Sequence, residues 1–117
     1  MKQTVTLDLK WYETHQNNSG GHFYVDDAVA QYVLVQATSA KEAQHKMEEI
    51  TESSGNDWCE CCGERWYFDF DEEDGTDSPV IYSTPIAEYK AWMKGCIAKL
   101  HYYTGVVETV EIPKRND

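Results

Sequence analysis

Three cysteines stand within four residues, at Cys59, Cys61 and Cys62, and thiolates this close together can bind a metal ion. Cys59 and Cys62 form a C-x-x-C-G knuckle, a spacing that lets two thiolates face one tetrahedral zinc ion. Gly63 allows the tight turn that such a knuckle needs. The sequence therefore predicts zinc ligands at Cys59 and Cys62, with Cys61 as a further candidate.

A closed zinc site needs four ligands, and the sequence has no second C-x-x-C or H-x-x-H pair. His22, Cys96 or His101 would have to complete the site from elsewhere in the fold. Zinc bound in this way would be structural, because no H-E-x-x-H or H-x-E pattern supplies a general base beside it. The alternative is a metal-free knuckle whose thiols fill space as small apolar groups.

Nucleophilic catalysis by the cysteine cluster is disfavoured by the neighbouring charges. Glu60 and Glu64 flank the thiols, and nearby carboxylates raise the pKa of a thiol. A reactive thiolate needs the opposite shift, and Arg65 offsets the two carboxylates only in part. We therefore expect a protein that is not an enzyme.

An acidic run extends from Asp57 to Asp77 and holds nine acidic residues and one basic residue. A surface of this charge favours association with a basic partner. The alternative is a solvated hairpin tip without a binding role. The candidate binding residues of this run are Asp71, Glu72, Glu73, Asp74 and Asp77.

Arg65 and Trp66 place a cation beside an aromatic ring directly after the cysteine cluster. This combination suits a pocket that stacks a ring or binds a phosphate, with the Gly20-Gly21 loop as a possible wall. The alternative places Trp66 in the core and pairs Arg65 with a nearby acid. Both residues are therefore candidate binding residues whose role depends on burial.

The chain has 117 residues, which fits one domain spanning residues 1–117. Its net charge of −11 argues against direct binding of nucleic acid, since no Lys/Arg stripe is present to contact phosphates. No apolar stretch approaches the roughly 20 residues needed to cross a bilayer, and no signal-peptide core follows Met1. We expect a cytoplasmic protein without membrane contact, whose cysteines are thiols or metal ligands.

The N-terminal half predicts strands followed by a helix. Thr4–Tyr12 alternates apolar and polar residues like a half-buried strand, and the polar, glycine-rich stretch Glu13–His22 predicts a loop. Val29–Gln36 predicts a central strand. A capping box at Ser39–Glu42 predicts a helix from Ala40 to about Glu52. The apolar face of this helix would contain Ala43, Met47 and Ile50.

Two short strands and a second helix are predicted next. Trp66–Asp71 and Val80–Tyr82 would pair across the acidic turn. Thr84-Pro85 has the N-cap and N1 signature of a helix, which Lys94-Gly95 would end.

A closing hairpin is predicted from Ile97–Tyr103 and Val106–Ile112, around the turn Thr104-Gly105. Its register stays open, since both possible faces mix apolar and charged residues. The order of elements predicts an α+β domain with two helices on one face of a mainly antiparallel sheet.

Four stretches carry a resemblance to a known family: Gly20–Phe23, Val33–Ala43, the block Cys59–Trp66 and the segment Leu100–Gly105. The block reads Cys-x-Cys-Cys-Gly-x-Arg-Trp and is the most specific of the four. The chain resembles a family of small acidic proteins from tailed bacteriophages over most of its length. The function of that family is unassigned, so the resemblance implies a setting, the cytoplasm of an infected bacterium, and no catalytic residue.

The leading hypothesis is a non-enzymatic bacteriophage accessory protein that binds a host protein through its acidic surface. It would inhibit or redirect that host protein, in host takeover or anti-defence. The alternative is a module that binds a small molecule such as a nucleotide signal, with Arg65 and Trp66 in the pocket. A zinc-dependent enzyme is the least favoured hypothesis. A nucleotide pocket would need several cations, and Arg65 alone supplies one.

Overall fold

Eight strands and one α-helix are present in this computed structural model, which describes residues 8–17, 23–52, 58–59 and 63–116. A 3-10 turn lies at Glu72–Asp74 among these residues. In chain order the elements are β1 (Lys10–His15), β2 (Tyr32–Ala37), α1 (Ala40–Glu52), β3 (Trp58–Cys59), β4 (Gly63–Glu64), β5 (Val80–Ile81), β6 (Thr84–Pro85), β7 (Cys96–His101) and β8 (Val107–Ile112).

The central sheet has the strand order β1-β2-β7-β8. The two outer pairs are antiparallel, and the central pair of β2 with β7 is parallel. A parallel pair needs a crossover connection, and residues 38–95 provide it. Strands β3 and β4 form a separate two-stranded ribbon, as do β5 and β6.

Strand β2, at the centre of the sheet, is buried on both faces. Val33 and Val35 point to one face and Leu34 to the other, and all three have no exposed surface. Alternate side chains of a strand point to opposite faces, so a run of apolar residues requires cover on both sides. Helix α1 covers the face of Val33, through Ala43 and Met47.

Helix α1 begins and ends where the sequence predicts. The Ser39 Oγ accepts a hydrogen bond from the Glu42 N–H at 3.1 Å, as in a capping box. The Glu42 carboxylate reaches back one residue further than expected and accepts the Thr38 N–H at 2.7 Å. This bond from the Thr38 backbone is the main reason that the pKa of Glu42 is lowered. Ala43 and Met47 are buried and Ile50 is half-buried, which confirms the predicted apolar face.

The second predicted helix is wrong, and with it the predicted fold class. Residues 84–94 form strand β6, a turn and an irregular segment that lies over the Leu34 face of the sheet. Thr84 and Pro85 pair with β5 rather than beginning a helix. One helical turn follows, with the Tyr89 N–H bonded to the Pro85 carbonyl at 3.0 Å. The described residues therefore form a mixed sheet with one helix, not an antiparallel sheet with two.

Backbone pairing explains why this segment covers the sheet without being helical. Ile86, Tyr89, Ala91 and Met93 all contact the apolar cluster around Leu34. Three of them, Ile86, Tyr89 and Met93, also have the spacing of one helix face, so side-chain spacing alone does not decide the structure. The parallel bridge between Ala91 and Lys114 then holds the segment extended beside the C-terminus.

Other predicted strand boundaries also need correction. Strand β1 begins at Lys10 and includes Glu13 to His15, which were expected in a loop, because His15 still pairs with Tyr32. Residues Thr4 to Leu7 lie outside the described residues. The segment 66–71 belongs to no strand, and β5 pairs with β6 instead. The C-terminal hairpin is confirmed, and its register pairs Cys96 with Ile112 and His101 with Val107.

Candidate functional site

The acidic segment, defined here as Asp69–Asp77, lies along strand β1. Trp11 and Thr76 exchange two backbone hydrogen bonds, at 2.8 and 3.0 Å, which fix the end of the segment to the strand. Gly75 approaches so closely that an added Cβ would stand 2.9 Å from both the Lys10 Cβ and the Tyr12 hydroxyl. The segment is thus held against the sheet edge, and a side chain at position 75 would push it away.

Three carboxylates of the acidic segment stabilise the fold itself. Glu72 accepts the backbone N–H of Ala40, the first residue of α1, at 3.0 Å, where the helix dipole favours a negative charge. Asp74 accepts the Asp71 N–H at 2.8 Å and so closes the 3-10 turn. Asp77 forms an ion pair with Lys10, whose hydrogen bond lowers the pKa of that carboxyl. These three carboxylates therefore form contacts within the protein.

Two other carboxylates of the segment, Asp69 and Glu73, face solvent. Both side chains are exposed, and neither forms a hydrogen bond or ion pair with another described residue. Asp71 is also exposed. The segment therefore presents a negative surface, and the charges of Asp69 and Glu73 are not used in contacts among the described residues.

A cleft of 420 Å³, called the acidic cleft below, separates the acidic segment from the end of β1. Four carboxylates border it, and no lysine or arginine does so among the described residues. Tyr67 stands at its side with 74% of its surface exposed. The lining residues are Glu13, Thr14, His15, Tyr67, Phe68, Asp69, Phe70, Glu73, Asp74, Thr76, Val80 and Ser83.

Glu13 is one of the residues that line the acidic cleft. Its Oε1 accepts the Tyr82 N–H at 3.1 Å, whereas its Oε2 is buried without a hydrogen-bond partner among the described residues. Burial raises the pKa of Glu13, because the charged form loses its hydration.

The turn Tyr82-Ser83 forms the rim beside Glu13 and has a strained backbone. Both residues have positive φ angles, 49° and 65°, as in a two-residue type I′ hairpin turn. Residues other than glycine pay a steric cost in this region. The ring of Tyr82 lies 5.2 Å from the ring of His15, whose pKa is lowered by burial. Contacts with Glu13 and His15 of β1 help to hold this turn in a backbone conformation that its residues do not favour.

Arg65 and Trp66, the candidate pocket residues, are both inside the protein. Arg65 has no exposed surface, and its Nη1 donates a hydrogen bond to the Gln16 Oε1 at 3.0 Å. Its guanidinium also stacks 4.5 Å from the centre of the Tyr24 ring. Trp66 is 2% exposed and belongs to the cluster under α1. The structure thus offers no exposed surface of Arg65 to a ligand.

The predicted zinc ligands fall mostly outside the described residues. Cys61, Cys62 and His22 are not among them, and Cys59 is described by its backbone alone, paired with Gly63. Cys96 and His101 occupy opposite ends of β7, about 16 Å apart at the rise of a strand, so they cannot bind the same ion. The His101 Nε2 is already hydrogen-bonded to the Ala28 carbonyl at 2.7 Å. No cluster of three metal-binding side chains occurs in the described ranges.

Two residues of the acidic cleft escape sequence reasoning. Glu13 belonged to a stretch that reads as a loop, and Tyr67 to one that reads as a strand. The signal available for Glu13 was weak: an acidic residue within a stretch flanked by Trp11, Tyr12 and a downstream aromatic-rich segment. Nothing in their separate neighbourhoods indicates that the two residues border one cleft.

A domain family of unknown function, DUF7296, matches residues 9–115, so the chain belongs to this family. No curated protein and no solved structure matches the chain. In addition, no helix of the described residues has the length and apolar character needed to cross a bilayer.

Proposed function

We propose that this protein is a non-enzymatic interaction protein that binds a basic surface of a host protein through its acidic cleft. The setting is the cytoplasm of an infected bacterium, in keeping with the resemblance to small acidic bacteriophage proteins. Binding would inhibit or redirect the host protein, as in host takeover or anti-defence. The observation that carries the proposal is the cleft itself, bordered by four carboxylates and an exposed tyrosine.

The chemistry of the cleft supports a lysine or arginine side chain as its occupant. Glu13 lines the cleft with a carboxylate that is partly removed from water, and Asp69 and Glu73 add exposed carboxylates. Charge attraction is stronger where the groups are partly removed from water. The exposed ring of Tyr67 adds a face on which a cation can stack.

Some carboxylates of the acidic segment hold the fold and others face solvent, and only the second group can test the proposal. Reversing Glu72, Asp74 or Asp77 would break contacts that hold the fold, so loss of binding would be ambiguous. Reversing Asp69 and Glu73 removes charge from the cleft and leaves those contacts in place. The informative variant is therefore Asp69→Lys/Glu73→Lys.

A comparison of three immobilised proteins tests the proposal: the wild type, Asp69→Lys/Glu73→Lys, and the matched control Glu49→Lys/Glu52→Lys. The control changes the net charge by the same amount, at two exposed positions of α1. Each protein is exposed to bacterial lysate at low and high salt, and bound proteins are quantified by mass spectrometry. Thermal melting shows that all three are folded.

The proposal predicts at least one basic host protein that the wild type and the control retain and the cleft variant loses. Its retention should fall as salt rises, because exposed charges are screened within about 8 Å at physiological ionic strength. Equal recovery of every host protein by all three proteins would contradict the proposal.

A further inference from the structure

A cluster of basic residues forms a second charged surface in this acidic protein. Four of its ten basic residues are Lys90, Lys94, Lys114 and Arg115. They lie in two segments that are distant in sequence, one before β7 and one after β8. The fold brings these segments together, and we call the resulting surface the basic corner.

Two backbone hydrogen bonds hold the basic corner in shape. The Ala91 N–H donates to the Pro113 carbonyl at 2.8 Å, and the Arg115 N–H donates to the Ala91 carbonyl at 2.8 Å. These bonds form a parallel bridge that aligns the two basic segments side by side. The arrangement therefore exists before any partner binds.

The basic side chains of the corner are available to a partner. All four are exposed, and none forms an ion pair with a carboxylate of the described residues. By contrast, Lys10 pairs with Asp77 and Lys46 with Glu42. Trp92 lies between Lys90 and Lys94 in sequence and is 67% exposed. Exposed tryptophan is enriched among the residues that dominate binding at protein interfaces.

A groove of 460 Å³ runs through the basic corner. Lys94 and Lys114 border it, and Ile97 and Pro113 give it an apolar wall. Glu111 is the one acidic residue among its described lining residues. The backbone at Gly95 leaves its side open, since nothing lies within 4 Å of the position that a Cβ would occupy. The groove thus combines an apolar wall with cations on either side.

We infer that the basic corner docks an acidic segment of a partner protein, one that carries carboxylates around an apolar side chain. The apolar side chain would fill the groove against Ile97 and Pro113. Its flanking carboxylates would meet the amines of Lys94 and Lys114, and the exposed ring of Trp92 offers a further contact outside the groove. This surface is separate from the acidic cleft and would take a partner of the opposite charge.

A peptide fits this surface better than a nucleic acid does. Four cations at one corner can neutralise only a short stretch of phosphates, and the rest of the strand would meet a protein of net charge −11. A short acidic segment keeps its charges within the corner. The apolar wall of the groove, moreover, has no counterpart on a phosphate backbone but matches an aliphatic or aromatic side chain.

Fluorescence polarisation with a labelled synthetic peptide tests the inference. The peptide carries Asp and Glu on both sides of a leucine. Two comparison probes are its neutral version, with Asn and Gln in their place, and a single-stranded oligonucleotide of the same net charge. The proteins are the wild type, Lys94→Glu, Lys114→Glu and the matched control Lys41→Glu, an exposed lysine on α1. Thermal melting verifies the fold of each variant.

We expect the acidic peptide to bind the wild type and the neutral peptide to bind more weakly. Lys94→Glu and Lys114→Glu should each weaken binding of the acidic peptide about tenfold, while Lys41→Glu should leave it nearly unchanged. Absence of binding, equal binding by Lys94→Glu and the control, or tighter binding of the oligonucleotide than of the peptide would each overturn the inference. None of these results depends on the acidic cleft.

Discussion

The surroundings of Glu13 disfavour its charge. This half-buried carboxylate has one oxygen without a partner among the described residues, which costs free energy in the free protein. A cation in the acidic cleft would reduce this cost by charge attraction, without contacting the buried oxygen. A group can therefore disfavour folding slightly and still favour binding, as expected of a residue placed for a ligand.

The pH dependence of stability should reveal Glu13. Its pKa is raised in the folded state by burial, so its unfavourable contribution is absent below the ordinary value of 4.5 and grows as pH rises through the raised value. Glu13→Gln retains an acceptor for the Tyr82 N–H and removes the charge. We expect the stability of this variant relative to wild type to increase from pH 4 towards neutral pH.

Urea unfolding of both proteins across this pH range measures the effect. A difference between the two proteins that stays constant with pH would mean that Glu13 has the same pKa in the folded and unfolded states.

Trp66 belongs to the core rather than to a surface pocket, and its removal should show this. Trp66→Ala deletes a buried ring beside Met47 and the other residues under α1. We expect a loss of about 3–5 kcal/mol in the free energy of unfolding, measured by chemical denaturation. Phe68→Ala serves as a comparison, because this ring is only half-buried and should cost less. A loss below that of Phe68→Ala would contradict the assigned place of Trp66.

The acidic segment packs most closely against the sheet at Gly75. Gly75→Ala would place a Cβ 2.9 Å from the Lys10 Cβ and the Tyr12 hydroxyl. The segment would have to shift, at a cost of about 1–3 kcal/mol. The shift should also weaken binding at the acidic cleft without any change in charge. Thermal melting and binding measured on the same variant test both effects, and Gly105→Ala does not serve as a control, since Gly105 has a positive φ.

Wild-type stability in Gly75→Ala would show that the segment adapts freely. In that case the cleft would not be a preformed site.

The ribbon of β3 and β4 carries the predicted zinc knuckle, and metal removal tests that prediction. If Cys59 and Cys62 hold zinc, the ion links the ribbon and contributes folding free energy. A chelator should then lower the melting temperature, and Cys59→Ser/Cys62→Ser should melt lower and no longer respond to the chelator. Cys96→Ser tests whether this buried cysteine of β7 completes the site, because the melting temperature of that variant would then respond less to the chelator. An unchanged melting temperature after the metal is removed would exclude a structural zinc.

Local signals explain which elements the sequence predicts correctly. Helix α1 has its cap, its apolar spacing and its end within fourteen consecutive residues, Ser39 to Glu52. Its structure is therefore decided by residues that are close together in the sequence. The segment 84–94 has a helix-like start, yet its structure depends on pairing with β5 and with Lys114, which no local pattern reveals. The acidic run can be recognised in the sequence from its nine acidic residues. The acidic cleft cannot be recognised in the sequence, because it forms where Thr76 pairs with Trp11, and these two residues are far apart in sequence.

For the whole molecule, charge is distributed between two separate surfaces. The acidic cleft gathers carboxylates beside β1, and the basic corner gathers cations beside the ends of β7 and β8. The remaining carboxylates and cations include several that stabilise the fold through pairs such as Lys10 with Asp77. Two surfaces of opposite charge would allow the proposed binding of two different partners.

Binding of a cation at the acidic cleft can be observed by an NMR titration of the isotope-labelled protein with a short lysine-containing peptide. We expect amide shifts to concentrate at Glu13, Tyr67, Asp69 and Glu73, and we expect Asp69→Lys/Glu73→Lys to abolish them. The control Glu49→Lys/Glu52→Lys should retain them. Shifts spread evenly over all acidic residues, or shifts that the cleft variant retains, would contradict a binding site at the acidic cleft.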